Sequence, residues 1–294
     1  LIQFNPIVGD IDGNANKIIK YIRKSNSEDY ISLYVFPEMS LCGYIPEDLL
    51  FRKDFKRSIN KNIKKIVSNT LKRNYIFLGT PRYENLDKKE KVFNSCLIIN
   101  NKGIVNHYDK RNLPNYGVFD EKRYFSKGNK KLTIEIEGIK IALLICEDIW
   151  DKATISESLS NPSPEICITL NASPFEIGKK NIRSEILKKA AKKYKTNFIY
   201  LNIIGGQDEI VFDGSSLIYD QSSQKLIHMD SFKENILTLN YAKKFKISKN
   251  INIIDSKKKQ ISDIYDAIKL GTKDYILKNN FEGVILGLSG GIDS

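Results

Sequence analysis

Ile139-Lys140-Ile141-Ala142-Leu143-Leu144-Ile145-Cys146-Glu147-Asp148-Ile149-Trp150 is the segment on which the fold turns. Its apolar run, Ile141 to Cys146, is the longest in the chain and has the length of a strand, far short of the roughly 18 residues that cross a bilayer. It then passes directly into a thiol and two acids. A thiol at a strand end stands at the edge of a sheet, where a turn into a helix also supplies backbone N–H groups; this is the logic of a nucleophile elbow applied to sulfur. A buried, inert cysteine is the other reading of the same residue. Upstream, Glu137-Gly138 predicts a turn joining a strand over Leu132–Ile136 to this one.

Similar runs rich in Ile, Leu, Val and Tyr occur at Leu1–Phe4, Leu33–Phe36, Tyr75–Gly79, Cys96–Asn100, Ile104–Tyr108, Ile166–Asn171 and Phe198–Ile204, with β-like stretches later at Ser215–Tyr219, Lys225–His228 and Asn235–Asn240. Between them, Asn16–Ser25, Ile59–Leu71 and Asn181–Tyr194 carry apolar residues at helical spacing. In the last, Ile182, Ile186, Leu187, Ala190, Ala191 and Tyr194 form one stripe and the lysines face out. Strands alternating with helices predict an α/β layered domain over residues 1–242. The Lys-rich residues 243–260 read as a linker. The pattern then restarts with an amphipathic helix over Ile261–Leu277, a strand over Gly283–Leu288 and a glycine-rich end, so residues 261–294 open a second domain. The chain begins inside a strand without Met and ends inside a motif, which suggests a fragment of a longer protein.

Two more segments share the strand-end position of Cys146. In Val35-Phe36-Pro37-Glu38, a carboxylate follows an apolar strand and a proline that ends the ladder. Partly desolvated there, Glu38 is a candidate base for a thiol. In Tyr108-Asp109-Lys110-Arg111-Asn112, Lys110 leaves a strand for a polar loop, where an ammonium stabilises an oxyanion or lowers a thiol pKa. In layered α/β proteins such ends gather on one edge, so the three form a constellation. The chain has two histidines, His107 and His228, both in strand-like runs and both read as partly buried structural residues, which leaves a carboxylate as the base.

The composition is that of a globular protein, 41% hydrophobic and 28% charged, which excludes collagen-like, coiled-coil and long disordered classes. The net charge of +12 raises nucleic-acid binding. Yet eight Arg stand against 39 Lys, and the lysines are scattered, whereas nucleic-acid readers favour clustered Arg with aromatic platforms. No nucleic-acid or membrane partner is expected. Cysteines at 42, 96, 146 and 167 form no CxxC pair, so no metal is expected, and reduced thiols of a cytoplasmic protein are the default.

Phe36-Pro37-Glu38, Tyr108–Glu121 (YDKRNLPNYGVFDE) and Ile145–Trp150 (ICEDIW) resemble the Glu–Lys–Cys triad segments of the nitrilase (carbon–nitrogen hydrolase) superfamily. With Gln3–Asp10 (QFNPIVGD) and Asn171–Phe175 (NASPF) they resemble more narrowly the glutaminase domain of glutamine-dependent NAD+ synthetases. Leu286–Ser294 (LGLSGGIDS) then delivers a predicted strand into small residues whose N–H groups can close on a phosphate. It lacks the lysine of the Walker loop and resembles the PP-loop of ATP pyrophosphatases.

The resemblance implies a four-layered α-β-β-α sandwich followed by the start of an α/β ATP-pyrophosphatase domain. It implies Glu38, Lys110 and Cys146 as catalytic residues. Tyr116, Ser173 and Lys179 would bind glutamine, Glu121 would hold Lys110, and the backbone N–H of Glu147 would join Lys110 at the oxyanion. Gly287, Leu288, Ser289, Gly290, Gly291, Ile292, Asp293 and Ser294 would meet ATP. The partners implied are glutamine, deamido-NAD+ and ATP with Mg2+, in a homo-oligomer; residues 1–294 alone would hydrolyse glutamine at most and form no NAD+. A stand-alone amidase acting on an ω-amide or N-carbamoyl compound is the competing reading; it accounts for the triad and leaves SGGIDS unexplained.

Overall fold

The computed structural model describes residues 1–24, 30–86, 89–160, 163–242, 245–246 and 260–292. The chain opens with β1 (Ile2–Gln3), α1 (Ile11–Lys24), β2 (Ser32–Val35), α2 (Lys53–Ser68), β3 (Asn74–Leu86), β4 (Lys89–Asn100), β5 (Gly103–Asp109) and a short α3 (Glu121–Tyr124). It continues with β6 (Thr133–Ile136), β7 (Ile139–Ile145), α4 (Lys152–Leu159), β8 (Ile166–Asn171), α5 (Lys179–Tyr194) and β9 (Asn197–Asn202). Short strands follow: β10 (Ile204–Gln207), β11 (Ile210–Asp213), β12 (Leu217–Tyr219), β13 (Lys225–His228), β14 (Asn235–Ile236), β15 (Asn240–Tyr241) and β16 (Phe245–Lys246). The last element is α6 (Gln260–Lys278).

Two sheets carry the core. The smaller has the order β2-β3-β4-β5 and the larger β13-β12-β9-β8-β7-β6. Within the larger, β7, β8 and β9 are parallel, with Leu143 opposite Ile168 and Ile168 opposite Ile199. The turn at Glu137-Gly138 joins β6 to β7, with φ of 49° and 77° at its two residues, the positive values a two-residue hairpin requires.

Alternation along the strands sorts the layers. Phe77, Cys96 and Ile98 of the smaller sheet join one buried cluster with β7, β8 and β9. Their neighbours Ile76, Leu78, Leu97 and Ile99 join another with Ile18 and Ile22 of α1 and Ile59 and Ile66 of α2. Ile155 and Leu159 of α4 and Leu187, Ala190 and Ala191 of α5 pack with the larger sheet. The result is a four-layered α-β-β-α sandwich. The central strands of the larger sheet are covered on both sides and read as continuous apolar runs, whereas β5 at the edge of the smaller sheet is largely exposed.

The structure corrects three expectations about these elements. First, the buried residues of α5 are Arg183, Leu187, Ala190 and Ala191, and Ile182 is 50% exposed. The helix turns Arg183 inward because its Nη1 lies 2.8 Å from the equally buried Asp213 Oδ1. Second, the expected strand Phe198–Ile204 breaks at Ile203, and the chain forms the hairpin β10–β11. Third, residues 281–289 form no strand. Val284, Leu286 and Leu288 are exposed, and a lone strand with no neighbour among the described residues leaves its ladder groups to water. Most of the expected linker lies outside the described residues; Phe245 within it pairs with Tyr241, ring centroids 5.0 Å apart.

Helix α6 lies against the β10–β11 hairpin. A Cβ on Gly206 would come within 2.8 Å of Gly271 Cα, so the absence of a side chain at Gly206 lets the helix backbone approach the hairpin this closely. Asp274 accepts from Asn5 Nδ2 and the Gly206 N–H, each at 2.8 Å. Lys278 donates to the Pro6 and Gly206 carbonyls, at 3.0 and 2.9 Å.

The inward turn of α5 is testable by chemical denaturation. Arg183→Ala leaves Asp213 buried and unpaired and is expected to cost about 3–5 kcal/mol. Ile182→Ala, on the exposed face, is expected to stay within about 0.5 kcal/mol of the parent. Equal effects of the two would put the buried face of α5 elsewhere.

Candidate active site

Glu38, Lys110 and Cys146 stand just beyond the ends of β2, β5 and β7. The turn after β2 folds back on β3, and a Cβ on Gly79 would strike the Pro37 carbonyl at 2.1 Å, so glycine is required there. Met39 takes a φ of 51° and Ser40 Oγ donates to the Pro37 carbonyl at 2.6 Å. This tight turn aims Glu38 into the interior. Lys110 is anchored through its backbone: its N–H donates to the Asn94 carbonyl and its own carbonyl accepts from Gly128, both at 2.8 Å.

The three side chains are buried, as is Glu121. Lys110 Nζ donates to Glu38 Oε1 and to Glu121 Oε1, each at 2.8 Å. Asn94 Nδ2 donates to Glu38 Oε1 at 2.6 Å, and the Ala172 N–H, just past β8, donates to Glu38 Oε2 at 2.6 Å. Tyr44 Oη donates to Glu121 Oε1 at 2.8 Å, while Glu121 Oε2 is buried without a partner.

One ammonium therefore serves two carboxylates. Burial alone would lower the Lys110 pKa, but the charges of Glu121 and Glu38 outweigh it and hold the ammonium well above its ordinary value. Glu121 bears the surplus. Burial, only partly offset by Lys110, pushes its carboxyl up to about 7.

Cys146 sits at the first position of a 3-10 turn, Cys146–Ile149, with a φ of 43°. A left-handed backbone at a residue other than glycine costs of order 1–3 kcal/mol and persists where the surroundings impose it. Burial drives the thiol well above its usual value. Glu38 raises it further, Lys110 pulls it back, and Glu121 and Glu147 add smaller upward pushes. The resting sulfur is thus a neutral thiol that needs a base, and Glu38 lies among its close charged neighbours.

The other expected residues fall at different depths. Tyr116 is exposed, and its Oη donates to Glu147 Oε2 at 2.9 Å, beside Cys146. Ser173 is buried next to Ala172, its Oγ 3.0 Å from Arg183 Nη2. Lys179 begins α5, pairs with Glu176 at 3.1 Å and lies 5.2 Å from the centre of the Trp150 ring. Gly287 to Ile292 are exposed, and Asp293 and Ser294 lie outside the described residues. His228 is on β13, at the far edge of the larger sheet. His107 is exposed, against expectation: it stands on the open face of β5, 3.8 Å from Asp109. Among the described residues no group of three His, Cys, Asp or Glu is placed to hold a metal ion.

Sequence reading missed Tyr44, Asn94, Asp148, Arg183 and Asn202. Asn202 Oδ1 accepts from the Ser173 N–H at 2.8 Å, and its Nδ2 donates to the Ser173 carbonyl at 3.0 Å. A polar residue inside an apolar strand, as in Val92-Phe93-Asn94-Ser95-Cys96, was the available signal for Asn94.

The neutral resting thiol predicts the pH dependence of alkylation. The raised folded-state pKa means that thiolate forms only above the ordinary thiol range. Reaction of Cys146 with iodoacetamide is therefore expected to keep rising past pH 9 (the free-thiol pKa is about 8.5). A plateau below pH 7, followed by mass spectrometry at Cys146, would reveal a preformed thiolate and overturn this reading.

Comparison with known proteins agrees with this fold. The carbon–nitrogen hydrolase family model matches residues 1–242. The glutamine-dependent NAD(+) synthetase of Acinetobacter baylyi is 37% identical over 297 residues, covering 100% of this chain and 53% of the relative. That of Aquifex aeolicus is 35% identical, covering 100% and 56%. The chain thus spans about half the length of the curated relatives it matches. The structure of the Acinetobacter baumannii glutamine-dependent NAD+ synthetase, solved with ADP, superposes with a TM-score of 0.90 at 35% identity, over 100% of this chain and 54% of that one. An amidase from Nesterenkonia sp. shares the fold, with a TM-score of 0.65 at 18% identity, over 80% of this chain and 86% of that one. With residues 1–242 matched by the family model and folded as this sandwich, the chain belongs to the carbon–nitrogen hydrolase family.

Proposed function

We propose that this chain carries the glutaminase half of a glutamine-dependent NAD+ synthetase. Glu38 takes the Cys146 proton as Sγ attacks the glutamine amide carbon. Lys110 and the Glu147 N–H bear the developing oxyanion; loss of one such donor typically costs about 3–4 kcal/mol of barrier. Glu38 returns the proton to the leaving nitrogen, the C–N bond breaks, and ammonia departs from a γ-glutamyl thioester. Glu38 then draws a proton from water, the hydroxide attacks, and the C–S bond breaks to give glutamate and the thiol. Tyr116, Ser173 and Lys179 are the proposed glutamine contacts, with Glu121 holding Lys110.

In the longer protein, ammonia would pass to deamido-NAD+ adenylated by ATP, with Mg2+, yielding NAD+, AMP and pyrophosphate. Residues 261–294, with the small residues Gly287 to Ser294, are the proposed start of that ATP-binding domain, after a 1–242 amidase domain and a 243–260 linker. Assembly into a homo-oligomer belongs to the same proposal. No helix among the described residues is long and apolar enough to cross a membrane.

One observation favours this reading over a stand-alone amidase: similarity to the Acinetobacter baylyi synthetase covers the whole chain, past residue 242 where the hydrolase match ends. The deciding assay measures ammonia release from glutamine beside other ω-amides and N-carbamoyl amino acids. Glutamine is expected to be hydrolysed with the highest kcat/KM, and a marked preference for another amide would favour the stand-alone enzyme. Cys146→Ala and Glu38→Gln are each expected to abolish glutamate production with the circular dichroism spectrum intact. Activity surviving in a folded Cys146→Ala protein would refute the assignment of the nucleophile.

A further inference from the structure

The three catalytic candidates do not share a sheet. Glu38 and Lys110 leave strands of the smaller sheet, whereas Cys146 leaves β7 of the larger. Apolar packing between sheets is strong but non-directional. It leaves open how the sulfur lies relative to the ammonium, which a directional contact must fix. The Ala172 N–H spans the divide to Glu38 and so aims the base. The carboxylate of Asp148 spans it to Tyr108, Arg111 and Asn112, the residues that flank Lys110.

Asp148 is fully buried, two residues past Cys146. Its Oδ2 accepts from the Ile145 N–H at 3.0 Å and from Tyr108 Oη at 2.8 Å. Its Oδ1 accepts from the Arg111 N–H at 3.1 Å, the Asn112 N–H at 2.8 Å and Asn112 Nδ2 at 3.2 Å. The partners flank Cys146 on its strand side and Lys110 on both sides. Two oxygens with five donors have no lone pair to offer a substrate proton, so Asp148 is not itself a base. Burial raises its carboxyl to about 6 against those donors, which leaves it ionised at neutral pH and able to accept from all five.

We propose that Asp148 is a positioning residue that locks the Cys146 turn to the Lys110 loop, setting the sulfur against the carbonyl that Lys110 polarises. It rests on the glutaminase reading and acts on the chemical step rather than on glutamine binding, because none of its partners is a proposed glutamine contact.

Asp148→Asn in the 294-residue chain is the test. An amide is isosteric but turns an NH2 group toward one set of N–H or O–H donors, so one half of the clamp opens. Misplacement of reacting groups by about 1 Å costs about 10²-fold. The expected result is a kcat for glutamine hydrolysis lowered by about that factor with KM unchanged, and a slower reaction of Cys146 with iodoacetamide. Should Asp148→Asn fail to fold, Tyr108→Phe removes one donor only, and kcat is expected to fall about three- to tenfold, again at constant KM. A folded Asp148→Asn protein with parental kcat, or with parental kcat and raised KM, overturns the proposal. If the parent chain releases no ammonia from glutamine, the glutaminase reading fails; the alkylation rate then judges Asp148 alone, and a rate unchanged by Asp148→Asn overturns it.

Discussion

A lysine ammonium held out of water between two carboxylates is the constraint on which this molecule is organised. Burying a charge costs several kcal/mol unless it is paired and hydrogen-bonded. Lys110 meets that condition with Glu38 and Glu121, and each acid in turn draws in donors of its own. Asn94 and the Ala172 N–H satisfy Glu38, and Tyr44 satisfies one oxygen of Glu121. These groups come from the ends of β2, β5 and β8, from the middle of β4, from the loop after β2 and from α3. One charge therefore recruits both sheets. It leaves Glu121 as the ill-matched member, its carboxyl raised and one oxygen unpaired, while Glu38 keeps both oxygens in defined bonds.

The parts legible in the sequence were those encoded locally. Glu38, Lys110 and Cys146 each follow an apolar strand, and the change from apolar to charged marks the exit from a sheet. The Glu137-Gly138 turn and the apolar core strands were readable for the same reason. The residues that were missed depend on partners distant in the chain. Arg183 looks like one more cation on a lysine-rich helix until Asp213 of β11 is placed beneath it. Asp148 looks like the second of two turn acids until β5 arrives beside β7. Gly283–Leu288 shows the converse: its residues favour a strand, but propensity without a neighbouring strand makes none.

The excess positive charge belongs mostly to the outside of the sandwich. On α5, Lys188, Lys189, Lys192 and Lys193 point away from the sheet, while the one arginine of that helix is enclosed. Lys110 is the exception that carries chemistry, and burial, not basicity as such, sets it apart. The charge total and the reactive charge are therefore separate properties of this chain.

The left-handed backbone of Cys146 has a consequence for how this position can evolve. Stability alone would place glycine there, the residue that adopts such a φ without steric cost. Drift toward a sturdier fold and retention of sulfur thus pull the same codon in opposite directions, as at other sites where activity is kept at the expense of stability. A lineage that lost the need for amide hydrolysis would be released from that conflict. Glycine at position 146 in an otherwise intact sandwich would then be the mark of a member of this family retired from catalysis.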